Sequence, residues 1–248
     1  MATTDVKAQP DTWRARAEQA ARRLAAITAS GALLGLLVGG VGGRLAMLLL
    51  ARMNPIATGV KSDDGFTMGR FDVTATLNLL FAGTMLGVLG AGIYAVTRGL
   101  MLGPRWFQVL SVAVGPAVVI GASIVHTDGV DFTLLEPTWL AIGLFVVIPG
   151  LYAALLTLLA ERWLREDSWA MRAPLKVAAL PLAVWLPLAP LLAVLVALWA
   201  LREKFRRKPS VAAALDHPAV AWVARLALAV VFVEALVDLA NDAAELTG

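Results

Sequence analysis

The chain is 248 residues long, 59% hydrophobic and 16% charged, with a formal net charge of +3 and no cysteine. A soluble domain carries about 25% charged residues, and the apolar residues here are gathered into runs near the roughly 20 residues a bilayer-spanning helix needs; the composition argues against a soluble enzyme. The missing cysteine removes disulfides, thiolate nucleophiles and thiolate metal sites, and the bases flank apolar runs, as lipid-facing charges do, so nucleic acid is not an expected partner.

Residues 1–23 form a polar segment with Lys7, Arg14, Arg16, Arg22 and Arg23, in which Pro10-Asp11 offers the start of a short helix at the membrane surface. The first span is expected over Leu24–Ala51, too long to be the core of a signal peptide. In it Gly31, Gly35, Gly39 and Gly43 recur every fourth residue, a small-residue edge that lets a second helix approach closely. Gly83, Gly87 and Gly90 of the second span are the expected mates, and a seam between two copies is the alternative. Arg44 follows the ladder at once, a fixed charge within hydrocarbon that costs about 2.5–3.5 kcal/mol on insertion scales and needs a partner or water.

A polar loop, Arg52–Asp72, contains Asp63, Asp64 and Arg70 and leads to a second span over Val73–Val96. After a short link around Arg98–Arg105 comes a third span, Trp106–Val125, and a second polar loop with His126, Asp128 and Asp131. Carboxylates beside a histidine can hold a cation or relay protons, but Asp-Gly pairs are ordinary turn chemistry and no metal-ligand spacing is met. The fourth span is Pro137–Ala160, with a kink expected at Pro149-Gly150. Tryptophans beside arginines in Glu161–Pro174 suit the headgroup level.

The fifth apolar run, Leu175–Ala200, carries Pro181, Pro187 and Pro190. Each proline removes a backbone donor and disfavours straight helix, so the run either crosses as one kinked helix or enters and returns. Charge bears on the choice, because bases mark the cytoplasmic side. A crossing run leaves eleven bases inside and eight outside, whereas a returning run leaves sixteen inside and three outside. Arg202–Lys208 then leads to a last span, Pro218–Ala240, and an acidic tail, 241–248. Glu234, Asp238, Asp242 and Glu245 share one face of that helix. If the fifth run returns, Glu234 and Asp238 reach the depth of Arg44, and an intramembrane ion pair is expected; if it crosses, the match fails.

The phrases Ser62-Asp63-Asp64-Gly65-Phe66 with Gly69-Arg70-Phe71, and His126-Thr127-Asp128-Gly129-Val130-Asp131-Phe132 with Pro137-Thr138-Trp139-Leu140-Ala141, resemble those of an uncharacterised family of actinobacterial polytopic integral membrane proteins. The resemblance covers about Arg44–Gly150 and implies a bacterial cytoplasmic (inner) membrane. That family has no assigned reaction, so it transfers no functional residues.

The expected fold is therefore all-α: a polytopic transmembrane helix bundle with a cytoplasmic N-terminus, of five spans plus a re-entrant Pro-rich segment or of six spans. Residues 24–240 form its membrane domain. No phosphate loop, nucleophile elbow or His-Glu-x-x-His motif is present, and Ser30, Ser111 and Ser123 have no histidine at span depth to activate them. The expected function is a non-catalytic membrane assembly or envelope-associated protein, without cofactor or metal, partnered by the bilayer and by a second copy or another membrane protein. The alternative is a small-solute or ion transporter or channel using Arg44 and the outward-facing carboxylates.

Overall fold

The computed structural model describes residues 13–62, 67–205 and 217–247. Asp63 and Asp64 of the expected outer cluster, and the distal bases of the Arg202–Lys208 stretch, lie outside them. The described chain is all-α. In chain order the helices are α1 (Trp13–Leu34), α2 (Gly43–Met53), α3 (Val73–Thr97), α4 (Arg105–Ile124), α5 (Val130–Thr133), α6 (Thr138–Trp163), α7 (Trp169–Arg172), α8 (Leu175–Ala178), α9 (Ala189–Phe205) and α10 (Pro218–Thr247). A π-helical stretch, Gly35–Gly42, joins α1 to α2 without a break, so the expected surface helix and first span are one rod, Trp13–Met53. Similarly, α10 carries the expected acidic tail as helix to Thr247, and α6 runs through Pro149. Among the described residues six helices are long and apolar enough to cross a bilayer, and the protein is a multi-pass membrane protein.

The first two long rods pack through glycine. A Cβ on Gly31 would stand 2.4 Å from the carbonyl oxygen of Gly87, and one on Gly35 would stand 2.4 Å from that of Gly83. The glycines of α3 are equally closed, since a Cβ on Gly87 would lie 2.3 Å from the carbonyl oxygen of Gly31. Backbone meets backbone here, so the ladder serves a contact within the chain, as small-residue edges do in membranes. Gly43 is the exception, with nothing within 4 Å of its Cβ position. Gly90 also departs from expectation, facing the ring of Tyr152 on α6 rather than the ladder. The Tyr152 hydroxyl donates to the carbonyl of Gly87 at 2.6 Å and ties α6 to the glycine pair.

Direction follows from which residues meet. Gly31 lies by Gly87 and Gly40 by Leu80, so α3 runs against the first rod; Gly121 lies by Val146 and Gly150 by Ala113, so α6 runs against α4. Two cores form. At the basic end Ile27, Leu34, Ala91, Tyr94, Leu156 and Ala160 pack together; at the opposite, loop end the core is Leu50, Ala57, Val125, Phe132, Leu135 and Ala141. At the basic end Glu161 of α6 accepts from the Tyr94 hydroxyl at 2.9 Å and pairs with Arg98 at 2.8 Å.

The fifth run is long enough to cross, yet its contacts show that it returns. It enters beside α1, where Arg22 donates to the carbonyl of Ala173. It reaches Thr28, whose hydroxyl oxygen accepts from the buried Trp185 indole at 2.8 Å. It then comes back to the start of α1, where the Trp199 ring packs at a tilt of 54° against Trp13 with ring centroids 5.9 Å apart and Glu203 pairs with Arg16 at 3.0 Å. A straight helix of the 31 residues Leu175–Phe205 would extend roughly 46 Å, whereas Arg22 and Arg16 are about 9 Å apart along α1. The bend lies between Trp185 and Leu195. Both side chains come within 3.4 Å of a Cβ built on Gly92, although ten residues of straight helix would part them by about 15 Å. Pro187 and Pro190 stand in that interval, and residues Leu180–Leu188 wind as 3₁₀ turns. The re-entrant alternative is the one the contacts support.

Candidate functional site

The residues of interest fall at three places. The first is a pocket of about 250 Å³ at the loop end, lined by Arg44, Arg70, Phe71, Asp131 and Phe145 among others. Its geometry starts with Asn54, the buried residue that ends α2. The Asn54 side-chain amide donates to the carbonyls of Leu50 and Glu136 at 2.9 and 2.8 Å, and its oxygen accepts from the Glu136 amide at 2.9 Å. One carboxamide thus clasps the first outer loop to the second. The first loop then folds back on itself, with Gly59 donating to Met68 and Met68 to Val60; Gly59 and Gly69 hold positive φ there, where a side chain would be strained. Asp72 caps α3 by accepting from the amide of Ala75 at 2.7 Å. Arg70 and Phe71 are fixed between these two devices and face the end of the first rod.

Arg44 is satisfied by that loop. Its guanidinium donates to the carbonyl of Arg70 at 3.2 Å and lies 5.9 Å from the centre of the Phe71 ring. The expected pair with Glu234 or Asp238 is not formed, and no carboxylate among the described residues stands within 4 Å of Arg44. The reason is placement. α10 packs mainly on α4, and α6 and α4 stand between it and the first rod. The expected outer cluster is likewise divided. Arg70 and Asp131 join Arg44 in the pocket, with Asp131 buried beneath the loops. His126 and Asp128 face each other at 4.0 Å on the exposed surface instead. The Nδ1 of His126 donates to the carbonyl of Ile124, which holds the ring against Phe132. Among the described residues, no three histidines, aspartates or glutamates come together as metal ligands.

The second place is α10. It starts at the basic end, where Arg225 donates to the carbonyl of Leu100 at 2.9 Å and lies over the Trp222 ring. It ends at the loop end, where Leu239 lies by Gly121 and Leu246 joins the core with Val125 and Phe132. In its second half the more covered residues are Phe232, Ala235, Leu239, Asp242, Ala243 and Leu246, one stripe against the bundle. Glu234, Asp238 and Glu245 are exposed and, at about 100° per residue, lie on the flank of that stripe, whereas Asp242, expected on the same face, is half-buried at the stripe's edge. Glu234 is five residues before Leu239, and Gly121 is three residues before the end of α4. Glu234 is therefore about 12 Å below the loop end of the bundle, close to the middle of a core about 30 Å thick. It forms no ion pair or hydrogen bond with another part of the described chain, and nor does Asp238.

The third place is a wide groove at the basic end, about 1050 Å³, lined by Arg105, Arg162, Arg165, Trp163 and Trp169 above the alanines of α1. Neither the Asn54 clasp nor this groove was visible in the local sequence, because each joins residues from loops or helices far apart in the chain. Compared with protein-family models, curated proteins and solved structures, the chain matches none.

Proposed function

We propose that this protein is a non-catalytic subunit of a membrane assembly, in the bacterial cytoplasmic membrane that the loop resemblance implies, and that α10 is the helix by which it assembles. The observation that carries this reading is the position of Glu234 and Asp238. A carboxylate at membrane depth is costly when it faces lipid, and such groups face a bundle interior, a wet cavity or a partner. These two are exposed on the flank of a candidate span none of whose residues is fully buried, and no part of the described chain partners them. A partner helix carrying a base or a hydrogen-bond donor at the matching depth would satisfy them.

Absence of native cysteine allows a direct test. A single cysteine at the exposed Val237 should crosslink in membranes to a partner span, and Glu234→Gln with Asp238→Asn should reduce the crosslinked product several-fold while leaving protein abundance near that of the parent. A product linking two copies would identify the partner as a second chain. No crosslinked product of either kind would remove the reading.

Solute transport is the second reading, drawn from the pocket in which Arg44, Arg70 and Asp131 converge at the loop end. Anion or cation flux in liposomes that is lost in Arg44→Gln would favour it over assembly.

A further inference from the structure

We infer that the groove at the basic end is a binding site for an anionic phospholipid, whose phosphate is held by Arg162, Arg165 and Arg105 and whose acyl chain lies against α1 and α6. The groove joins two chemistries. Its accessible apolar wall is Ala29 of α1 with Leu155, Leu158 and Leu159 of α6, over the buried Ala25, Ala26 and Leu34. A small residue on α1 beside the partly exposed leucines of α6 leaves an apolar strip on the groove wall. The Pro-rich segment closes one side with Ala178 and Pro181. Because that segment turns back instead of crossing, it covers α1 only at the basic half, and it forms a wall there.

The rim is cationic. Arg105 begins α4, Arg162 ends α6, and Arg165 stands in the turn that follows. None of the three has an ion pair or hydrogen bond of its side chain within the described residues. The neighbouring Glu161 does not neutralise them, since Arg98 and Tyr94 already take its carboxylate. Among the described lining residues, Asp167 is the one carboxylate, which leaves two positive charges in excess. Guanidinium groups match phosphate oxygens in pairs, and basic pockets between spans on the cytoplasmic side are where acidic headgroups bind. Trp163 and the exposed Trp169 frame the rim at the level where tryptophan meets headgroups. Ser168 fixes that turn by capping α7, accepting from the amide of Met171. A soluble anion would use the rim and leave the apolar strip empty; the two together select a molecule with a phosphate at one end and a chain at the other.

Thermal unfolding of the purified full chain in neutral detergent tests this, with added phosphatidylglycerol, phosphatidylcholine or glycerol 1-phosphate as the probes. Phosphatidylglycerol should raise the Tm of the parent by several degrees and leave Arg162→Gln/Arg165→Gln with less than half that shift. Arg52→Gln, which alters an exposed base at the opposite end, should keep the full shift. Phosphatidylcholine and glycerol 1-phosphate should each give little. Should the double variant not accumulate, Arg105→Gln, on a different helix, is read in the same way. An equal response to both lipids, a full shift in the rim variants, or an equal shift from glycerol 1-phosphate would each overturn the assignment.

Discussion

Single atoms decide how the first rod meets α3. At Gly31, Gly35, Gly83 and Gly87 a methyl group would overlap opposing backbone, which cannot rotate away as a side chain can. Gly87→Ala should therefore separate the rods, costing about 1–3 kcal/mol as overpacked substitutions do, and disturb the Tyr152 hydrogen bond that ends on the same residue. Gly43→Ala is the matched control. It belongs to the same ladder in sequence but meets nothing, so replacing a helical glycine should be neutral or stabilise by about 0.5–1 kcal/mol. Unfolding of the two variants in detergent checks both signs; equal losses would mean that the ladder acts through helix propensity alone. Arg44 belongs to the same scale. Its charge is met by a carbonyl and an aromatic face from a loop 26 residues later, which no spacing within a helix announces.

At the scale of elements the Pro-rich segment is the informative one. Its two ends are held to one end of α1 by Arg22 at the entry and by Trp13 and Arg16 at the exit, and its middle is fixed by the Trp185–Thr28 hydrogen bond. Backbone freed by prolines is tolerated at membrane depth where protein covers it; here α1 and α3 cover the Trp185 side, and Pro187, Ala189 and Pro190 at the bend are exposed. Because no native cysteine interferes, Lys176→Cys and Lys204→Cys can be labelled singly with an impermeant maleimide. Both should react from the same side of the membrane, in sealed vesicles of one orientation. Reaction from opposite sides would mean that the segment crosses. The same helix counting gives α10 its importance, since a span that packs through one stripe leaves Glu234 and Asp238 exposed on its flank.

At the scale of the whole molecule, five rods run end to end and one segment returns, so the start of α1 and the end of α10 stand on opposite sides. The distribution of Lys and Arg predicts a cytoplasmic basic end, so a reporter fused after the last residue should be active on the non-cytoplasmic side and silent in the cytoplasm; the reverse would refute this arrangement. The sequence alone determined the class, because six long apolar runs flanked by basic residues have no stable place except a bilayer. It made α3 the expected mate of the first rod, since a four-residue glycine period fixes an edge and α3 carries a complementary one; the contacts of Gly31 with Gly87 and Gly35 with Gly83 decided against a seam between two copies. It left open whether Leu175–Ala200 returns, because prolines permit a bend without stating its angle; contacts with α1 settled that. It did not bring Arg44 to Arg70, Asn54 to Glu136, or three arginines to one groove. Those depend on which rods are neighbours, and neighbour choice is fixed by packing between helices, a property of facing surfaces rather than of any one stretch of chain.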